Sequence, residues 1–237
     1  MSEWKAKRFW TAAAVTEDQQ GFGIALDGRP VKTPAKRLLA VPTRALAQAI
    51  AEEWDAQEDK IDPRSMPFTR TANAAIDKVA TQKPEVADML AAYGDSDLLC
   101  YRAEAPEELV ARQAEQWDPL LDWAEEELGA RLQARSGVMH APQSPDALNQ
   151  LSKRVHAMDC FALAGFHDLV SLSGSLILGF AAAQDVKTPA EIWDISRLDE
   201  IWQAELWGAD DEAEATAAIK KAAFLHAKRV MDFSQRR

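Results

Sequence analysis

Gly21–Thr33 reads GFGIALDGRPVKT, and this stretch decides what the first part of the chain can be. Phe22, Ile24 and Leu26 fall at every second position, which puts their side chains on one face of an extended strand. Asp27-Gly28 follows at once, a pair favoured where a hairpin turn needs positive φ. Arg29 to Thr33 is then the return strand, and Pro30, with no N–H to donate, confines it to an edge or a bulge. Upstream, KRFWTAAAV (Lys7–Val15) reads as a further strand.

Beyond LLAVPT (Leu38–Thr43) the period changes from two to that of a helix. Thr43 is a good N-cap, and Leu46, Ala49, Ile50 and Trp54 follow at helical spacing. DKIDPRSMP, rich in Asp and Pro, breaks the pattern and sets a candidate domain boundary near Pro63–Pro67. From there the chain reads as helices. PFTRTANAAIDKVA is one and KPEVADMLAAYG another, with Gly94 as its C′ residue. PEELVARQAEQW follows, and Asp118-Pro119 restarts a helix as N-cap and N1; Ser144-Pro145 does the same for DALNQLSKRVHAMDC. The apolar run Phe161–Ala183 reads as a central buried helix with a break near Gly165. AEIWDISRLDEIWQAELWG and DEAEATAAIKKAAFLHAKRVMDF complete the set. The predicted class is α+β: a small β-rich N-terminal domain (1–66, a hairpin and one helix), then a larger all-α helical bundle (67–237).

The word VKTPA occurs twice, at Val31–Ala35 and Val186–Ala190, without flanking similarity. The first copy ends a strand. In the second, Thr188 is an N-cap, Pro189 sits at N1 and Glu191 completes a capping box.

A formal net charge of −11 argues against a general binder of nucleic acid or anionic membrane, since both are polyanions. The basic RVMDFSQRR tail reads as an ordinary charged terminus. The uncharged segment Leu169–Gln184 is shorter than the roughly 20 residues of a membrane span. MSEWKAKRFW has no apolar core of a secretory signal. Two distant cysteines, Cys100 and Cys160, fit buried thiols in a reducing compartment. These features predict a cytoplasmic protein.

Strong catalytic or cofactor signatures are missing: Gly21, Gly23 and Gly28 lie in a hairpin pattern, and no phosphate loop or H-E-x-x-H occurs. Asp95 and Asp97 form the sharpest polar pair, readable as a divalent-cation or acid–base pair, or as residues that cap and turn the chain after Gly94. His156 and His167 read as core or boundary residues, His167 and Asp168 being adjacent on a helix and so not facing each other. Cys160 reads as a small core residue. Trp193, Trp202 and Trp207 cluster on one predicted helix with Ile192, Ile195, Leu198 and Leu206, covering more of its circumference than one stripe needs. That surplus fits either packing on two sides or contact with a partner.

The series LDGRPVKTPAK, LAVPT, AIAEEWDAQ…IDPRSMPFTR…N…ID, DLLCYRA, RQ…WDPLLDW and RLDEIWQAELWG resembles one family. It is similar to the ATP-twelve assembly chaperones of the F-type ATP synthase alpha subunit, over about Phe9–Gly208 and in the same order. The lack of a transit-peptide pattern suggests a bacterial member of that family acting in the cytoplasm, the resemblance implying homologues in the mitochondrial matrix. It implies a binding protein and not an enzyme, with no cofactor, metal or small-molecule substrate, whose partner is the unassembled alpha subunit. The family's R-L-x-E-x-x-Q pattern falls on Arg197, Leu198, Glu200 and Gln203, and implies Glu200 as a partner contact, with Asp199 where the family often has another acid. Gln203, Trp202 and Trp207 join them as expected partner-binding residues. Asp27, Gly28, Arg29, Lys32, Pro34 and Trp54 carry the family signature in an expected structural role. A competing reading is a small metal-dependent hydrolase using Asp95, Asp97 and His167; a third is a general holdase.

Overall fold

In the computed structural model, which describes residues 7–19 and 21–235, Asp27 and Gly28 turn the chain with φ of 46° and 80°. Both angles lie in the left-handed region that a tight hairpin turn matching strand twist requires. The turn joins β2 (Gly21–Leu26) to β3 (Arg29–Pro30), with Leu26 opposite Arg29 and Ala25 opposite Pro30. β1 (Ala13–Asp18) pairs antiparallel with β2 along its whole length, and β4 (Ala40–Val41) also pairs with β2. The upstream strand therefore starts at Ala13, later than the sequence predicts. Residues 8–12 are held instead by side chains: Arg8 donates to the carbonyls of Trp10, Thr11 and Asp55, and Asp27 accepts from the Thr11 and Ala12 amides at 2.9 and 3.0 Å. Those two amides, helped by Arg8 and Arg29, hold the Asp27 carboxyl below its ordinary value.

Thr43 caps α1 (Arg44–Asp55) as expected, its Oγ1 accepting from Leu46 N at 3.2 Å. Leu46, Ala47, Ala49 and Ile50 are buried against Ile24, Leu26 and Val41 of the sheet. The DKIDPRSMP break is an ordered joint. Asp62 N–H donates to Gln57 Oε1, and Glu53 of α1 accepts from Phe68 N, Thr69 N and Thr69 Oγ1 at 2.6–2.8 Å. A carboxylate from one helix thus satisfies the orphan amides opening the next, α2 (Pro67–Asp77). At the other end of α2, Asp77 accepts from Thr33 Oγ1 (2.7 Å) and Ala35 N (3.0 Å), which pins the first VKTPA copy.

Two compact units result: Met1–Lys83 with Asp159–Gly165 and Arg229–Arg237, and Pro84–Met158 with Phe166–Lys228. The N-terminal stretch Met1–Ala6, on which the signal-sequence reading partly rests, and Arg236–Arg237 of the basic tail lie outside the described residues. After α2 the helices are α3 (Lys83–Ala91), α4 (Glu107–Leu128), α5 (Pro145–His156), α6 (Cys160–Ser173), α7 (Leu176–Ala183), α8 (Pro189–Ser196), α9 (Leu198–Trp207) and α10 (Asp211–Ser234). A short parallel pair, β5 (Tyr101–Arg102) and β6 (Arg135–Ser136), accompanies them. The class is the α+β arrangement the sequence predicts, a small sheet followed by a larger helical part.

Four helix boundaries differ from expectation. Pro119 lies inside an unbroken α4, because Trp117, Leu120, Leu121 and Ala124 continue one buried face across it and outweigh the lost amide hydrogen bond. Gly94 is no C′ residue: it sits in a 3₁₀ turn, where a Cβ would meet Leu148, Leu151 and Leu176 at 3.2–3.3 Å. The apolar run breaks at Gly174 (φ 70°), not near Gly165, and Ser175 caps α7. The Trp-rich segment is two helices, since Arg197 (φ −109°, ψ 17°) interrupts it between α8 and α9. The capping box on the second VKTPA copy forms as predicted, with Glu191 N–H donating to Thr188 Oγ1 and Thr188 N–H to Glu191 Oε2.

α6 and α7 approach closely at Gly179, where a Cβ would lie 2.6 Å from Val170 Cγ2 and 3.3 Å from Phe166. Gly179→Ala is expected to lower unfolding free energy by about 1–2 kcal/mol, overpacking outweighing the gain in helix propensity. Urea denaturation reads this out, and an unchanged or higher midpoint would show that the two helices can part without cost.

Candidate functional site: the α8–α9 corner

The five residues expected to meet a partner are all on α9, whose only buried residue is Leu198. Their environments differ. Asp199 is half-buried and accepts from Gln113 Nε2 at 2.7 Å; Gln113, itself buried, accepts from Ala103 N at 2.8 Å. Asp199 is therefore also a tie between α4 and α9. Glu200 is exposed and pairs with Arg197 Nη1 at 2.7 Å, one turn back. Trp202 is half-buried with the Arg112 guanidinium 5.8 Å from its ring centre. Gln203 is exposed, and Trp207 is 78% exposed beside Leu206 at 56%. Large apolar side chains left in water next to charge are what an interface core looks like before its partner arrives.

Trp193 belongs elsewhere. It is buried on α8 and packs on Phe224 of α10 with ring centres 5.7 Å apart. The break at Arg197 separates a packing tryptophan from the exposed one, a division that a single continuous helix does not predict.

Sequence reasoning missed Arg112 and Glu205. Arg112 Nη1 and Nη2 donate to the two Glu205 oxygens at 2.6 and 3.0 Å, a fork across 93 positions of sequence. The pair holds Glu205 below its ordinary pKa and raises Arg112, and no local pattern marks it. Also missed is a groove of about 230 Å³ between α9 and α10, with Ile201, Ala204, Ala213 and Ala217 in its lining. Its signal is the spacing of Ala213 and Ala217, small residues four positions apart on one face of α10, with Ala209 just ahead of the helix.

The signature residues Asp27, Gly28, Arg29, Lys32, Pro34 and Trp54 all lie in the first unit. Asp27 and Gly28 make the hairpin turn, Arg29, Lys32 and Pro34 are exposed, and Trp54 is half-buried with its ring 5.2 Å from that of Trp10.

Asp95 and Asp97 have separate partners. Asp95 accepts from Gln143 N at 2.7 Å and lies 3.4 Å from His140. Asp97 is fully buried and accepts from Leu99 N, Ile177 N and Ser175 Oγ. His167 Nδ1 lies 2.9 Å from Asp168 Oδ1, so these neighbours do meet, contrary to expectation: the two short side chains bend toward each other beside the helix. That bond raises the His167 pKa. His156 pairs with Asp88 of α3 at 2.9 Å. Among the described residues no three His, Cys, Asp or Glu side chains are grouped to hold a metal ion. Burial, with the Asp97 charge, pushes the Cys100 thiol up to about 12, and burial also raises Cys160, which keeps both protonated at neutral pH. Among the described residues no helix is long and apolar enough to cross a membrane.

The family model described as ATP12 chaperone protein matches residues 7–125. The mitochondrial Atp12 protein of Schizosaccharomyces pombe is 27% identical over 219 residues, covering 87% of this chain and 75% of that protein. The crystal structure of Atp12 from Paracoccus denitrificans superposes with a TM-score of 0.96 at 50% identity, covering 98% of this chain and all of that one. An Agrobacterium tumefaciens structure gives 0.91 at 42% identity, over 97% of this chain and 86% of that one.

Proposed function

This chain belongs to the ATP12 chaperone family, and from that premise we propose that it binds the unassembled alpha subunit of the F-type ATP synthase and shields it until it pairs with beta. It acts by binding alone, without catalysis or cofactor, in the bacterial cytoplasm. An unpaired subunit of an obligate complex exposes a large apolar interface prone to aggregation. A chaperone for it needs a surface that grips this interface and then yields to the true partner.

The observation that carries the reading is the outer face of α9. Trp207 and Leu206 stand largely in water beside Glu200 and Gln203, on a helix anchored to α4 by Asp199 and Glu205. Exposed aromatic and acidic side chains on a well-held element form a pre-organised patch, which lowers the ordering cost of binding.

Co-expression with the alpha subunit is expected to raise its soluble yield and to give a complex that co-purifies. Glu200→Lys places a like charge one turn from Arg197 and is expected to weaken alpha binding by about 10-fold with circular dichroism unchanged. Failure of the purified proteins to associate removes the reading. Unaltered binding by the variant removes Glu200 from the contact.

A further inference from the structure

We infer that the groove between α9 and α10 is a client-docking site whose occupant is a cationic, amphipathic segment of the alpha subunit, seating one or two aliphatic side chains. This deepens the proposed function and rests on it.

The first argument is charge. Between Leu198 and Ile219 there are seven carboxylates and no lysine or arginine. Four are engaged within the protein: Asp199 by Gln113, Glu200 by Arg197, Glu205 by Arg112, and Asp210 as cap on the Ala213 amide at 2.7 Å. Asp211, Glu212 and Glu214 stand exposed on the first turn of α10. The nearby cations are largely spent: Arg197, itself in the groove lining, serves Glu200, and Lys221 serves Asp194 at 2.8 Å, while Lys220 lines the adjoining surface. A field of one sign next to an apolar floor selects a partner carrying the opposite sign.

Size and shape supply the second argument. The groove lining includes the small side chains of Ala204, Ala213 and Ala217, together with Ile201 and Trp193. Its 230 Å³ falls below the range of small-molecule pockets and suits one or two aliphatic anchors of a peptide segment. A second copy of this chain seated through the same surface is a poor occupant, because it would bring the exposed Asp211, Glu212 and Glu214 against their own counterparts. Nor is the outer surface of α9 and α10 an ordinary solvated face: Leu206, Trp207 and Ile219 are each more than half exposed, beside residues 211–216 of α10, which are exposed throughout.

Affinity for purified alpha subunit, measured by interferometry at about 50 and about 500 mM NaCl, tests this. Ala213→Phe fills the groove and is expected to weaken binding by about 10-fold, the size of one lost anchor. The double variant Glu212→Gln/Glu214→Gln is expected to weaken binding several-fold at low salt and to flatten the salt dependence. Glu126→Gln, an exposed carboxylate near the far end of α4, is expected to change neither. Circular dichroism and thermal midpoint show that each variant is folded. Wild-type binding unaffected by the groove variants, or independent of salt, overturns the groove and leaves the proposed function standing. Absence of wild-type binding overturns both. A wild-type dimer that Ala213→Phe converts to monomer in sedimentation velocity makes the groove a self-interface, and also overturns it.

Discussion

Replacing Asp97 with alanine is expected to lower the unfolding free energy by about 3–5 kcal/mol, because it strands several buried donors at once. The side chain has no solvent exposure. Its oxygens accept from Leu99 N at 3.0 Å, Ile177 N at 3.0 Å and Ser175 Oγ at 2.7 Å. Ser175 in turn accepts from Leu178 N, so one carboxylate organises both the 3₁₀ turn at 98–100 and the start of α7. Burial pushes the Asp97 carboxyl up to about 6 against the pull of these donors. Between the unfolded value near 4 and about 6, the folded state keeps a proton that the unfolded state has lost, so stability falls as pH rises through that window. Asp97→Asn lacks this titration. The stability difference between wild type and Asp97→Asn is therefore expected to be larger at pH 4 than at pH 7, by on the order of 2 kcal/mol. Urea unfolding at closely spaced pH values measures both curves. Parallel curves would mean that the carboxyl titrates alike folded and unfolded, and would remove burial as the dominant influence on it.

Asp97 also marks where sequence reading stops. Signals that act within a few residues were legible: the alternation of Phe22, Ile24 and Leu26, the Asp27-Gly28 turn, the Thr43 cap, and the capping box at Thr188 and Glu191. The turn and the two caps are shaped by backbone and side-chain atoms close in sequence, so propensity and outcome coincide there. Pro119 and Gly174 behave otherwise because packing and distant partners decide them. Pro119 is carried through α4 by the buried face around Trp117, and the chain breaks at Gly174 where Ser175 and Asp97 meet, 78 positions apart. As a cap, Asp97 was readable; as the buried acceptor that ties the 98–100 turn to the start of α7, it was not. At the candidate site the pattern Arg197, Leu198, Glu200, Gln203 pointed to α9, yet the fork from Arg112 and the alanine-lined groove emerge only when α4, α9 and α10 assemble.

That assembly can be tested at Trp117, the largest fully buried side chain among the described residues. Its Nε1 donates to Ile195 O at 3.1 Å, on the last turn of α8, just before the Arg197 break. One turn back along α4, Gln113 reaches Asp199 and Arg112 reaches Glu205. A single face of α4 thus holds α8 and α9 at successive points, and the exposed patch on α9 keeps its place through these three contacts. Trp117→Ala removes the volume and the donor together and is expected to cost about 3–5 kcal/mol. Trp117→Phe keeps most of the volume and is expected to cost about 1–2 kcal/mol, leaving the protein folded with the Ile195 carbonyl unserved. In that variant, amide hydrogen exchange across 195–207 should accelerate, while β2 in the other unit should exchange as in wild type. If α9 is held by α4 in the way described, binding to the proposed client, the alpha subunit, should weaken along with that local protection, since a looser patch must be ordered when a client arrives. Uniform acceleration everywhere would instead mean that Trp117 serves global stability alone, and that the α8–α9 corner is kept in place by other contacts.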